Sequence, residues 1–128
     1  MSSKLQTIET KNAPAAIGPY SQAVRTGNLL FVSGQIPLDP VSGQVIEGGI
    51  SNQTKQVMTN ISAILAAAGT DFGHVVKCSI FLKNLGDFST VNEIYGSYFK
   101  PPYPARACVE VSKLPRDVLV EIEVIAQV

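Results

Sequence analysis

The best chemical candidates in this chain sit in residues 103–111 and, after a short turn, in 118–124. Both stretches alternate apolar and polar residues at period two. That predicts a β-hairpin turning Arg106, Cys108 and Glu110 to one face, with Glu121 and Glu123 arrayed likewise. A guanidinium can grip a carboxylate through two parallel hydrogen bonds, and a glutamate can accept and return a proton. Only 16% of the residues are charged. An arginine and two carboxylates on neighbouring strands, beside apolar residues such as Leu119 and Ile125, therefore point to a site rather than a solvated surface.

The elements that must hold these residues follow from patterning. Residues 4–10 read as a short strand, broken by Asn12-Ala13-Pro14, and Gly18-Pro19-Tyr20-Ser21 is turn chemistry. Strands over 22–25 and 29–33 flank Thr26-Gly27-Asn28, a tight hairpin connection. Residues 35–49, with two prolines and three glycines, read as an ordered loop. Ser51 or Asn52 is placed to cap a helix in which Val57, Ile61, Ile64, Leu65 and Ala68 recur at helical spacing, with Gly69 as a left-handed C-terminal cap. Residues 74–83 alternate Val76, Cys78, Ile80 and Leu82 against Lys77, Ser79 and Lys83, a long strand with one buried face. Asp87 then caps a second helix with an apolar stripe of Phe88, Val91, Tyr95, Tyr98 and Phe99, ended by Pro101-Pro102.

The order β, β, β, α, β, α, β, β predicts an α+β architecture: a six-stranded mixed sheet with two helices on one face. The other face would expose Leu29, Phe31, Leu119 and Ile125, an apolar patch of the kind that marks subunit contacts. An oligomer is expected.

A length of 128 residues suits a single domain spanning 1–128. Ten basic and ten acidic residues balance, and the basic ones are scattered, so the footprint of a nucleic-acid binder is missing. Cys78 and Cys108 lie in strand-like runs without partner histidines, which makes neither a zinc site nor a disulfide framework. Both are expected to be reduced. No apolar stretch approaches the roughly 18 residues of a membrane span. Residues 1–10 show neither a signal-peptide core nor an Arg-rich presequence. The expected setting is cytoplasmic, with a matured mitochondrial form as the alternative.

Three stretches, Ala15-Ala16-Ile17-Gly18-Pro19-Tyr20-Ser21, Val32-Ser33-Gly34-Gln35-Ile36-Pro37, and Pro104-Ala105-Arg106 through Val120-Glu121-Ile122, make the chain resemble the RidA (YjgF) family of imine deaminases over nearly its whole length. The resemblance implies a chorismate-mutase-like fold assembled as a homotrimer around a central barrel, with sites in clefts between subunits. It also implies hydrolysis of 2-iminobutanoate and 2-iminopropanoate to 2-oxoacids and ammonia. That activity would protect pyridoxal-phosphate enzymes from reactive imines.

On this resemblance Arg106 would bind the substrate carboxylate, and Glu121 would hold a water over the imine carbon and shuttle a proton. Tyr20, Ser33, Gly34, Asn92 and Cys108 would line the pocket, Cys108 through its backbone carbonyl more than its sulfur. Local evidence offers plainer roles beside these: an ion pair of Arg106 with Glu121 or Glu123, a packing lid at Tyr20, a strand-end turn at Ser33-Gly34, and a helix-to-loop hydrogen bond at Asn92. Glu123 and His74 read as surface or structural residues. A protonated imine is already electrophilic, so no metal or organic cofactor is required.

Three rival readings remain in view. One is a 2-oxoacid-binding sensor without turnover, for which a second negative charge at Glu121 would be a handicap. Another is an RNA-acting translation inhibitor, which would want a basic, aromatic groove. The last is a chaperone-like surface. The family contains subgroups that keep the arginine and lack the glutamate; this chain has both.

Overall fold

The computed structural model describes residues 5–128. Six strands form one sheet in the order β1-β2-β3-β6-β4-β5: β1 (Gln6–Ile8), β2 (Ala23–Thr26), β3 (Leu29–Gln35), β4 (Val75–Leu82), β5 (Ala105–Glu110) and β6 (Val120–Gln127). Only β4 and β5 run parallel, so the sheet is mixed. The expected strand over residues 4–10 survives as β1, residue 4 lying outside the described residues. The expected β2–β3 hairpin forms, with Gly27 at φ 59° in its turn.

The C-terminal hairpin does not. β4 lies between β5 and β6, parallel to the first and antiparallel to the second. Period-two alternation tells which side chains share a face and says nothing about which strand lies alongside. β5 is thus an edge strand, reached from β4 through α2 (Phe88–Gly96).

Both helices cover one sheet face. α1 (Gly49–Ala67) buries Val57, Met58, Ile61, Ile64 and Leu65 against Leu30 and Val32 of β3, Ile80 of β4, and Ile122 and Val124 of β6. Each fully buried Leu or Ile contributes about 1.5–3 kcal/mol, so Ile61→Ala alone would cost about 2–5 kcal/mol. The helix starts earlier than a Ser51 or Asn52 cap would place it. Gly48, at φ 105°, is the N-cap residue, and the Asn52 amide instead donates to the Glu47 carbonyl at 3.3 Å. Its C-terminus ends as expected: Gly69 takes φ 80°, and Thr70 N–H returns to the Leu65 carbonyl.

Two further details depart from the patterning. The β4–β6 register shifts between Val75 and Lys77, so Val75 is buried while Val76 is 40% exposed. A single extra residue flips the facing of the strand end. Asp87 does precede α2, but its side chain makes no capping hydrogen bond; a single 3-10 turn, Leu85–Asp87, leads in. Tyr98 and Phe99 lie beyond the helix and pack their rings against Phe72. On the uncovered face Phe31 is 43% exposed, and Leu29, Leu119 and Ile125 are half-buried.

Candidate active site

Register places the candidate residues. Arg106 pairs with Cys78 of β4, and Glu121 of β6 pairs with Phe81. Those β4 positions are three apart, and side chains alternate along a strand, so Arg106 and Glu121 emerge from opposite faces of the sheet. Arg106, Cys108 and Glu110 stand on the helix-covered side, Glu121 and Glu123 on the open side. The expected grouping of arginine and carboxylates on neighbouring strands does not occur within one chain.

They occupy separate clefts. The Glu121 cleft, about 510 Å³, is bordered by Tyr20, Ser33, Gly34, Glu123, Pro14 and Pro115 among others. The Arg106 cleft, about 490 Å³, is lined by Asn92, Tyr95, Gly96, Tyr103, Pro104 and Arg106. A larger cleft of about 900 Å³ runs beside β1, and of the candidate residues it holds only Tyr20.

In the Glu121 cleft, Ser33 and Gly34 fall where the β3–β6 register slips between Val32 and Gln35, a bulge of the kind that re-aims side chains. β3 therefore runs past them to Gln35. A Cβ at residue 34 would collide with the Glu121 carboxylate, so the missing side chain is what lets that carboxylate lie across the strand. Burial raises the pKa of Glu121, and the nearby charge of Glu123 adds to the rise. A carboxylate tuned upward in this way is a stronger base than an exposed glutamate and is suited to take a proton from water. The Ser33 hydroxyl donates to the Ser21 carbonyl at 2.6 Å. Tyr20, 54% exposed, accepts from Ile17 N–H at 3.4 Å through its hydroxyl.

The walls of this cleft are tied down by buried amides that patterning left unassigned. Gln22 accepts from Thr10 N–H at 2.7 Å and donates to the Pro14 carbonyl at 2.8 Å. From α1, Asn60 donates to the Ile36 and Leu38 carbonyls at 3.3 and 3.0 Å, and Gln53 accepts from Leu119 N–H at 2.8 Å. For Gln53 and Asn60, a polar residue on the buried side of an amphipathic helix was the available signal.

In the Arg106 cleft, the guanidinium donates to Asn92 Oδ1 at 2.5 Å. Among the described residues no carboxylate comes within 4 Å of it, so the ion pair with Glu121 or Glu123 is absent. Glu110 is engaged elsewhere, accepting from Leu85 N–H at 2.8 Å. Cys108 is half-buried on the Arg106 side. Burial raises its thiol pKa, partly countered by the Arg106 charge, which leaves it protonated and poorly nucleophilic. Cys78 is buried and also shifted upward by burial. His74 is exposed and bonds Asp71 at 2.9 Å, a surface role.

Among the described residues, no three His, Cys, Asp or Glu side chains gather to hold a metal ion. Among the described residues, no helix is long and apolar enough to cross a membrane.

Comparison with known proteins agrees with this architecture. The family model described as Endoribonuclease L-PSP matches residues 10–128. A RutC family protein of Pyrococcus horikoshii is 54% identical, over 94% of this chain and 96% of its own. The 2-iminobutanoate/2-iminopropanoate deaminase of Bos taurus is 52% identical, over 93% of this chain and 87% of its own. A crystal structure of a Rid family protein from Yersinia pestis superposes with a TM-score of 0.95 at 53% identity, covering 98% of this chain and all of that one. With its mixed six-stranded sheet, its two helices and this extent of identity, the chain belongs to the Endoribonuclease L-PSP family, that of the RidA (YjgF) proteins.

Proposed function

We propose that the protein hydrolyses 2-imino acids, 2-iminobutanoate and 2-iminopropanoate among them, to 2-oxoacids and ammonia. The observation that carries this is the Arg106 guanidinium, presented in a cleft with no acidic partner among the described residues. A planar cation left un-neutralised suits a carboxylate-bearing ligand. The bovine relative bears the name of this activity at 52% identity.

The chemistry asks little of the protein. Water adds to C2 of the protonated imine as Glu121 takes one of its protons, giving a carbinolamine. Glu121 returns that proton to the amine nitrogen, the C–N bond breaks as the hydroxyl oxygen forms the ketone, and the hydroxyl proton passes through Glu121 to the released ammonia, so that one water enters and ammonium leaves. Arg106 holds the substrate carboxylate throughout, and the raised pKa of Glu121 strengthens it as the base that takes the proton from water.

Because Arg106 and Glu121 open on opposite faces, a complete site calls for a second copy of the chain. The Arg106 cleft of one would face the Glu121 cleft of its neighbour, in keeping with a trimer. The placement of Glu121 argues against a passive 2-oxoacid sensor. A net charge of zero argues against an RNA-directed role, whatever the family description says.

The test is to generate 2-iminobutanoate with an amino-acid oxidase in the presence of semicarbazide. The wild type should suppress semicarbazone formation, and Arg106→Ala should match the protein-free control. Coincidence of all three traces would sink the deaminase reading in favour of 2-oxoacid binding.

A further inference from the structure

The surroundings of Arg106 come from α2. The Phe88 ring centroid lies 5.3 Å from its Cζ and the Tyr95 centroid 5.1 Å, while Asn92 Oδ1 accepts from Nη1. Residues 88, 92 and 95 follow at i, i+4 and i+7, one stripe of a helix. The β5 register turns Arg106 toward that stripe by setting it opposite Cys78. The rings are themselves anchored: Tyr95 is 5% exposed and stacks on Phe99 at 4.7 Å between centroids, and Phe88 packs against the core cluster.

A carboxylate is one way to steady an exposed arginine. Such a partner would occupy two of the five N–H donors and cancel the charge, so an incoming carboxylate would meet a neutral pair. An aromatic face attracts the cation through its quadrupole, yet it uses no donor and carries no net charge. Asn92 takes a single N–H, and the other donors stay available. Holding the long side chain in place before ligand arrives removes part of the ordering cost of binding.

We propose that Phe88 and Tyr95 are positioning residues that clamp Arg106 against two aromatic rings, keeping the guanidinium ordered and un-neutralised for the carboxylate of a 2-imino acid. This rests on the reading of Arg106 as the carboxylate-binding group. The clamp acts on binding alone, since the same contacts are made by substrate and transition state.

Three readouts test it. In the free protein, the Arg106 Nε–Hε resonance should be displaced upfield by the ring currents. Phe88→Leu should move it toward the ordinary arginine position and Phe88→Tyr should not. In imine hydrolysis, Phe88→Leu should raise KM about 3- to 30-fold with kcat within about twofold, and Phe88→Tyr should restore KM. An undisplaced resonance in the wild type, a Phe88→Leu KM within twofold of wild type, or equal losses in Phe88→Leu and Phe88→Tyr would each overturn the clamp. Affinity for 2-oxobutanoate separates the two levels of the argument. Loss in Arg106→Ala but not in Phe88→Leu overturns the clamp alone, whereas wild-type affinity in Arg106→Ala refutes the carboxylate reading and removes the clamp with it.

Discussion

The Glu121 carboxylate lies in the space that a side chain at Gly34 would fill. Gly34 is not among the glycines with positive φ, so its backbone makes no demand for glycine and the requirement comes from the neighbouring carboxylate. Gly34→Ala should therefore fold, displace Glu121 and lower kcat by about 10²-fold, the low end of what a general acid-base group contributes. Steady-state kinetics on 2-iminobutanoate would check it, and a Gly34→Ala variant with unchanged kcat would show that Glu121 does no proton transfer from that position.

Glu121 should also link stability to pH. Its folded-state pKa lies above that of an unfolded glutamate because burial, then Glu123, disfavour the charged form. The folded state thus binds this proton more tightly than the unfolded state. Stability falls as pH rises from the unfolded pKa through the folded one, and the deficit persists at neutral pH. Glu121→Gln should raise Tm at pH 7 while abolishing turnover, with the Tm difference closing below about pH 4. Glu123→Gln, removing the lesser cause, should move the acid limb of the kcat profile to lower pH. A limb that stays put would assign it to another group.

Arg106→Lys keeps the charge and loses the planar fork. Replacing a bidentate contact by a point charge removes one hydrogen bond to a charged group, about 1.5–3 kcal/mol. KM should rise about 10- to 100-fold, with kcat less affected. Full retention of KM in the lysine variant would mean that charge alone, without geometry, binds the substrate.

Asn60 is fully buried and donates to two carbonyls of the loop that walls the Glu121 cleft. Asn60→Leu preserves volume and leaves those carbonyls without that donor, for an expected loss of about 2–4 kcal/mol in urea unfolding. Hydrogen exchange in residues 36–46 should accelerate more than in β4. Uniform acceleration would instead mark Asn60 as a generic core residue.

Much of this was legible in the residues alone. The six strands, the two helices and the C-terminal stop at Gly69 follow from periodicity and glycine placement, because those are local properties of a few neighbouring side chains. Arg106 and Glu121 could likewise be singled out by type and motif. Their relationship could not. Alternation assigns a residue to a face, but β4 enters between β5 and β6 through a crossover that no local pattern encodes, and its insertion puts the two residues in separate clefts. The apolar stripe of α2 reads as core by its spacing, and only the parallel β4–β5 pairing turns Phe88 and Tyr95 into neighbours of a cation. Likewise, a glycine at 34 and buried amides at 22, 53 and 60 acquire meaning from chain segments distant in sequence. Hydrophobic periodicity is set residue by residue, whereas strand order and side-chain company are set by the collective packing of the whole sheet.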